Sequence, residues 1–140
     1  MRRWLMRLLV ERVYSAMRAG NPDPALRMFE RNARLHFAGN HSWSVDTTDA
    51  AERRSWFERF AALRPALHCV DVVVCGPPWR MSACVVFDDA LHNDSGEVIY
   101  SNHGVQYVQL RWGRMVLDEI HLDTQRVAEY DRYVADASAS

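Results

Sequence analysis

Lysine is missing from this 140-residue chain: all 17 basic residues are arginine, which excludes any mechanism built on a lysine amine. Cysteine is scarce. Cys69, Cys75 and Cys84 form an odd set with no C-x-x-C pair, so a zinc ribbon is excluded and a disulfide framework is not expected. Their expected use is as small buried hydrophobes in a reducing compartment. An excess of one charge is lacking too. Seventeen basic residues against 18 acidic ones give a net charge of −1, without the basic surplus of a nucleic-acid surface. No apolar run approaches the ~18 residues of a membrane span. The first ten residues carry the arginines of a signal peptide, but Arg7 breaks the apolar run and no small-residue cleavage site follows. The expectation is a cytoplasmic protein with neither nucleic acid nor membrane as partner.

What is present suits one domain. Hydrophobic residues make up 49% and charged residues 25%, a globular balance. Leu5, Leu9, Val13 and Met17 recur every four residues, predicting an amphipathic helix over about 3–19 with Gly20 as its cap. Asp23-Pro24 opens a short second helix that buries Leu26 and Phe29. Residues 34–38 alternate like a strand, and 39–48 read as a loop. Asp49 with Glu52 resembles a capping box, opening a helix that carries Trp56, Phe57, Phe60 and Leu63 and ends at Pro65. The period then changes to two. Strands are predicted over 67–75, 79–89, 97–111 and 114–122, separated by Gly76-Pro77-Pro78, Asn93-Asp94-Ser95-Gly96 and Gly113. A last helix runs from Thr124 to about Val134, which leaves residues 1–134 as a single domain and 135–140 as a disordered tail.

This order is an α+β plan: three helices toward the N-terminus packed on a strongly bent, mostly antiparallel sheet, with a short C-terminal helix. It resembles the nuclear-transport-factor-2-like (NTF2-like) cone shared by ketosteroid isomerase, limonene epoxide hydrolase and the SnoaL-like polyketide cyclases. Four strings carry the likeness. Arg18-Ala19-Gly20-Asn21-Pro22-Asp23 resembles the family's first helix junction, and Leu35-His36-Phe37-Ala38-Gly39 its first strand. Arg111-Trp112-Gly113-Arg114-Met115-Val116 resembles its last hairpin, and Glu119-Ile120-His121-Leu122-Asp123-Thr124 its final strand. The resemblance implies a homodimer through the outer sheet face and small-molecule acid/base chemistry without cofactor or metal, of cyclase, isomerase or hydratase type, on an apolar carbonyl or polyketide-like substrate. The alternatives are a non-catalytic pocket for a small apolar ligand and a dimerising domain.

Tested against ketosteroid isomerase, the chain departs from the pattern. The helix-1 tyrosine position falls on Val13, with Tyr14 expected to face about 100° away. No carboxylate lies between Arg34 and Val45, and none in 105–107. The final-strand carboxylate of the cyclases and epoxide hydrolases matches Asp123, which sequence alone reads equally as the cap of the last helix. The expected acid/base set is therefore Asp123 with His36, His103 and His121, histidine being suited to proton transfer near neutrality. Tyr107, Trp43, Trp56 and Phe60 are the expected substrate-binding residues. The six histidines show no tight ligand spacing, so no metal is expected.

Overall fold

The computed structural model describes residues 2–139. Two helices, α1 (Arg2–Arg18) and α2 (Asp23–Arg27), precede the first strand, β1 (Phe29–Phe37). The third helix of the expected N-terminal set, α3 (Ala50–Ala62), follows β1 and a short β2 (Val45–Thr47) that occupies the predicted loop. The meander is β3 (His68–Cys75), β4 (Arg80–His92), β5 (Val98–Arg111) and β6 (Arg114–Leu122). One six-stranded sheet results, ordered β2-β1-β6-β5-β4-β3. Every neighbouring pair is antiparallel except β1 with β6, which is parallel and makes the sheet mixed. The last helix, α4 (Thr124–Ala139), is 16 residues long. Residues 135–139 are thus helical rather than a loose tail, and Ser140 lies outside the described residues.

Alternation along β4 and β5 decides which face is inner. Ala83, Val85, Phe87, Asp89 and Leu91 are buried on β4, and Asn102, Gly104, Val108 and Leu110 on β5. On β6 the register slips between the Gln109–Leu117 and Leu110–Met115 pairs. This bulge adds Met115 to the inner face that holds Asp118, although their spacing breaks the period of two.

The buried side of α1 is only in part the predicted one, with Met17 and Val13 of the expected stripe facing inward and Leu5 and Leu9 facing out. Met6, Tyr14 and Met17 are buried and Val10 and Val13 pack beside them. Both stripes have helical spacing. Arginines at the edge strand fix the choice. Arg3, Arg7 and Arg18 donate to the Val72, Cys69 and Leu67 carbonyls at 3.0, 3.2 and 2.5 Å. These bonds satisfy and cover a strand edge that would otherwise invite pairing. A fourth arginine, Arg53 on α3, is buried and donates to the Ala33, Glu30 and Arg31 carbonyls, clamping α3 onto β1.

Gly104 has no room for a side chain. A Cβ there would sit 2.5 Å from the His121 carbonyl oxygen and 2.7 Å from the Leu122 Cβ. Gly104→Ala is expected to destabilise the fold by about 1–3 kcal/mol in denaturant titration, because β6 must move to admit the methyl group.

Candidate functional site

Helices and sheet enclose a cavity of about 120 Å³. An apolar cavity of about 150 Å³ is large enough for benzene, so this one suits a ligand of about one ring. Its walls come from the inner side of α1, the α3 aromatics and the inner sheet face, and Val127 and Tyr130 of α4 close it. Trp43, Trp56 and Phe60 line it as an aromatic cluster with centroids 5.3–5.8 Å apart, Trp43 meeting the other two edge to face and the Trp56 indole donating to the Trp43 carbonyl at 3.0 Å. Arg59 stacks on Trp43 from outside at 4.4 Å, and Asp131 of α4 accepts from the Ser42 amide and hydroxyl at 2.7 and 2.6 Å. The loop before β2 is thereby fixed as a wall.

Few polar groups enter this apolar space, and three of them are connected. The Tyr14 hydroxyl donates to Gln106 Oε1 at 3.1 Å, and Gln106 Nε2 donates to Asp118 Oδ1 at 2.8 Å. Asp118 is 1% exposed, and its second oxygen, Oδ2, has no hydrogen-bond partner among the described residues. Burial pushes the Asp118 carboxyl up to about 7; the Gln106 hydrogen bond opposes the rise and the Glu119 charge adds a little to it. Burial, with the Asp118 charge second, holds the Tyr14 phenol well above its ordinary value, so it stays protonated.

A second carboxyl, Asp89 on β4, also lines the cavity with an unpartnered Oδ1. Burial, then the neighbouring Asp88 charge, raises it to about 7. Asp89 pairs with Asn102 and Asp118 with Val108, six residues apart along β5, or roughly 20 Å of extended strand. The two carboxyls therefore mark different ends of the cavity and share no proton. Near Asp89, Asn102 donates to the Tyr100 hydroxyl and the Asp123 carbonyl, each at 2.9 Å.

The expected acid/base residues lie elsewhere. Asp123 is exposed, and its Oδ1 accepts from the Gln125 and Arg126 amides at 3.1 and 3.4 Å, the geometry of a helix cap. His103 is exposed, with its Nδ1 2.5 Å from Asp88. His121 is exposed beside Glu119 at 3.2 Å, and His36 faces outward in register with Asp46 and Glu119. Tyr107 lies in that same outer row, accepting from Gln109 at 3.0 Å. Of the expected set only Trp43, Trp56 and Phe60 reach the cavity. Tyr14, placed off-axis by the helical wheel, is on the cavity side of α1 because the buried face is rotated. Among the described residues no group of three or more His, Cys, Asp or Glu side chains could hold a metal ion.

Asp118 did carry a signal. It shares a strand face with Ile120 and Leu122, and a lone carboxylate on an apolar face is either misassigned or functional.

Solved structures share this cone. The fold is that of the NTF2-like proteins. Bal32a, from a soil-derived mobile gene cassette, superposes with a TM-score of 0.71 at 17% identity, over 90% of this chain and 95% of that one. An NTF2-like protein of Burkholderia pseudomallei gives 0.67 at 16% identity, over 89% and 95%. A proposed polyketide cyclase of Xanthomonas campestris gives 0.60 at 17% identity, over 93% and 98%. No family model matches the chain, and no curated protein matches it in sequence. At these identities the NTF2-like likeness speaks for the fold, and the chemistry has to be argued from the cavity.

The buried carboxyl gives a pH prediction. Its folded-state value, about 7, lies above the unfolded value near 3.8, so the folded state holds the proton more tightly. That stability is fully present below the unfolded value and is lost as pH rises through 7. Asp118→Asn resembles the protonated parent at pH 5 and avoids a buried charge at pH 8. The variant's stability relative to the parent is expected to rise by about 2–3 kcal/mol from pH 5 to pH 8, read by thermal denaturation at both values.

Proposed function

We propose that the chain is a cofactor-free acid/base enzyme of the cyclase, isomerase or hydratase kind, acting on a small apolar carbonyl compound, with Asp118 as its base. The observation that carries the proposal is Asp118 itself: a fully buried carboxyl, one oxygen held by Gln106 and the other unpartnered, in an apolar cavity. A base with a pKa near the working pH combines a useful ionised fraction with enough basicity to take a proton. Gln106 favours the ionised form and fixes the carboxylate plane. The α-proton of a bound ketone passes to Asp118 Oδ2, and the electron pair of the C–H bond moves into the carbonyl to give an enolate. Tyr14 turns from Gln106 and donates its hydroxyl proton in a hydrogen bond to that oxygen. Asp118 then returns its proton to carbon. A dry, preorganised surrounding makes that hydrogen bond stronger than it would be in water.

The fold neighbour from Xanthomonas campestris, a proposed polyketide cyclase, supports this class of chemistry. The substrate walls are Trp43, Trp56 and Phe60. The outer sheet face, where Val70 and Val73 are exposed, is the proposed homodimer surface.

The test is α-proton exchange of cyclohexanone in deuterium oxide, followed by NMR. Asp118→Asn is expected to slow the protein-dependent exchange by roughly 10²–10⁴, the usual worth of a general base. Asp123→Asn keeps an oxygen for the helix cap and leaves exchange unchanged. Equal exchange by the parent and Asp118→Asn contradicts the assignment. Saturable binding without exchange supports the ligand-binding alternative.

A further inference from the structure

The exposed side of α1 carries a cluster of large apolar side chains. Trp4 is 62% exposed, Leu5 51% and Leu8 50%, with Leu9 exposed beside them. These residues occupy adjoining positions on one side of the helix, opposite the buried Met6, Tyr14 and Met17. Single exposed hydrophobes need no explanation, but four large ones within one and a half turns do. The same helix carries Arg2, Arg3, Arg7, Arg12 and Arg18 against a single acidic residue, Glu11. It is therefore at +4, which leaves −5 on the rest of a chain of net −1.

The neighbouring end of the sheet repeats the pattern. Arg2 donates to the Gly76 carbonyl in the β3–β4 turn, and the Trp112 amide donates to the Trp79 carbonyl, linking that turn to the β5–β6 turn. Trp79 and Trp112 pack with ring centroids 6.5 Å apart, and Trp112 is 81% exposed. Arg80, Arg111 and Arg114 flank them. Among the described residues none of these three arginines forms an ion pair, and neither do Arg2, Arg7 and Arg12.

We infer that α1 and the Trp79–Trp112 turns dock this protein on an anionic membrane surface. Tryptophan and leucine inserted at the acyl boundary, with arginine at the headgroups, are the side chains that such a surface selects. The separation of charge between α1 and the rest of the chain orients the molecule with α1 toward the lipid. A second copy fits this face poorly, because a two-fold contact through α1 would set two +4 helices against each other. A nucleic acid would use the indoles and arginines but offers nothing to Leu5 and Leu8. No helix of the described residues is long and apolar enough to cross a membrane, so the contact is peripheral.

The docking face also borders the cavity. Leu9 and Leu63 are both exposed and part of the cavity lining, which puts an apolar rim beside α1. An apolar ligand dissolved in the bilayer could enter there without crossing water; this part rests on the reading of the cavity as the substrate site.

The experiment is flotation of the full chain with vesicles of phosphatidylcholine alone, or with about 30 mol% phosphatidylglycerol added. Binding is expected to the anionic vesicles only, to weaken as salt is raised, and to fall about tenfold or more in Trp4→Ser/Leu8→Ser. Both positions are exposed, and an unchanged melting temperature verifies that the variant folds. Asp118→Asn should float like the parent, so failure of docking and failure of the cavity chemistry are read separately. A parent chain that stays with the soluble fraction, or a double variant that floats as well as the parent, overturns the inference. So does a double variant that only changes the oligomeric state, which would assign the face to a second copy, or nucleic-acid binding that the vesicles do not match.

Discussion

The hydrogen bond from Gln106 to Asp118 is the interaction that sets the state of the cavity's buried carboxyl. An isolated carboxylate in an apolar space is expensive, and the protein answers by raising its pKa rather than by supplying a counter-charge. Among the described residues no cation reaches Asp118 in an ion pair; it has one amide donor, which in turn is held by a phenol. That arrangement fixes the carboxyl's orientation while leaving it close to the balance point between its two protonation states. A salt bridge would have locked it ionised and much less basic.

The rest of the architecture serves that placement. Asp118 lies in the inner row of β6 with Ile120 and Leu122, the bulge adds Met115 to that face, and the inner row of β5 supplies Gln106 beside it. α1 brings Tyr14 across from the opposite wall. The helix can do so only in one rotation, which the arginine contacts to β3 enforce. A cost follows from the same rotation. With Met6, Val10, Tyr14 and Met17 turned inward, Trp4, Leu5 and Leu8 have to face outward. The surface proposed to meet the membrane and the orientation of the phenol are two consequences of one rotational setting.

Much of the fold could be read from the chain. The strands of the meander, the turns between them and the Asp49 cap follow from alternation and turn chemistry, and the Glu52 amide does donate to Asp49 at 3.2 Å. β2 was missed because three residues carry too little periodicity to be seen. α4 extends beyond its expected end because Ala and Ser in 135–139 tolerate a helix even without packing. The aromatic wall of the cavity was legible because large apolar side chains at helical spacing have few places to go. The polar groups were not. Asp118 shares its parity with Ile120 and Leu122, but which β6 face looks inward is decided by what packs on the sheet, and alternation alone does not carry that. Tyr14 depends on which of two equally periodic stripes is buried, a choice made by long-range contacts from Arg3, Arg7 and Arg18. His36, His103 and His121 drew the eye as titratable groups, yet their outward rows follow from the same sheet that turns Asp118 in.

Asp118 is buried in an apolar cavity with no counter-charge among the described residues. Carbon-13 NMR of the side-chain carboxyls, with Asp118 assigned by comparison with Asp118→Asn, tests this most directly. The expected titration midpoint for Asp118 is near 7 in the unliganded protein, against an ordinary value of 3.8. A midpoint near 4 would show instead that water or a cation reaches the carboxylate and that Asp118 is not an uncompensated buried carboxyl.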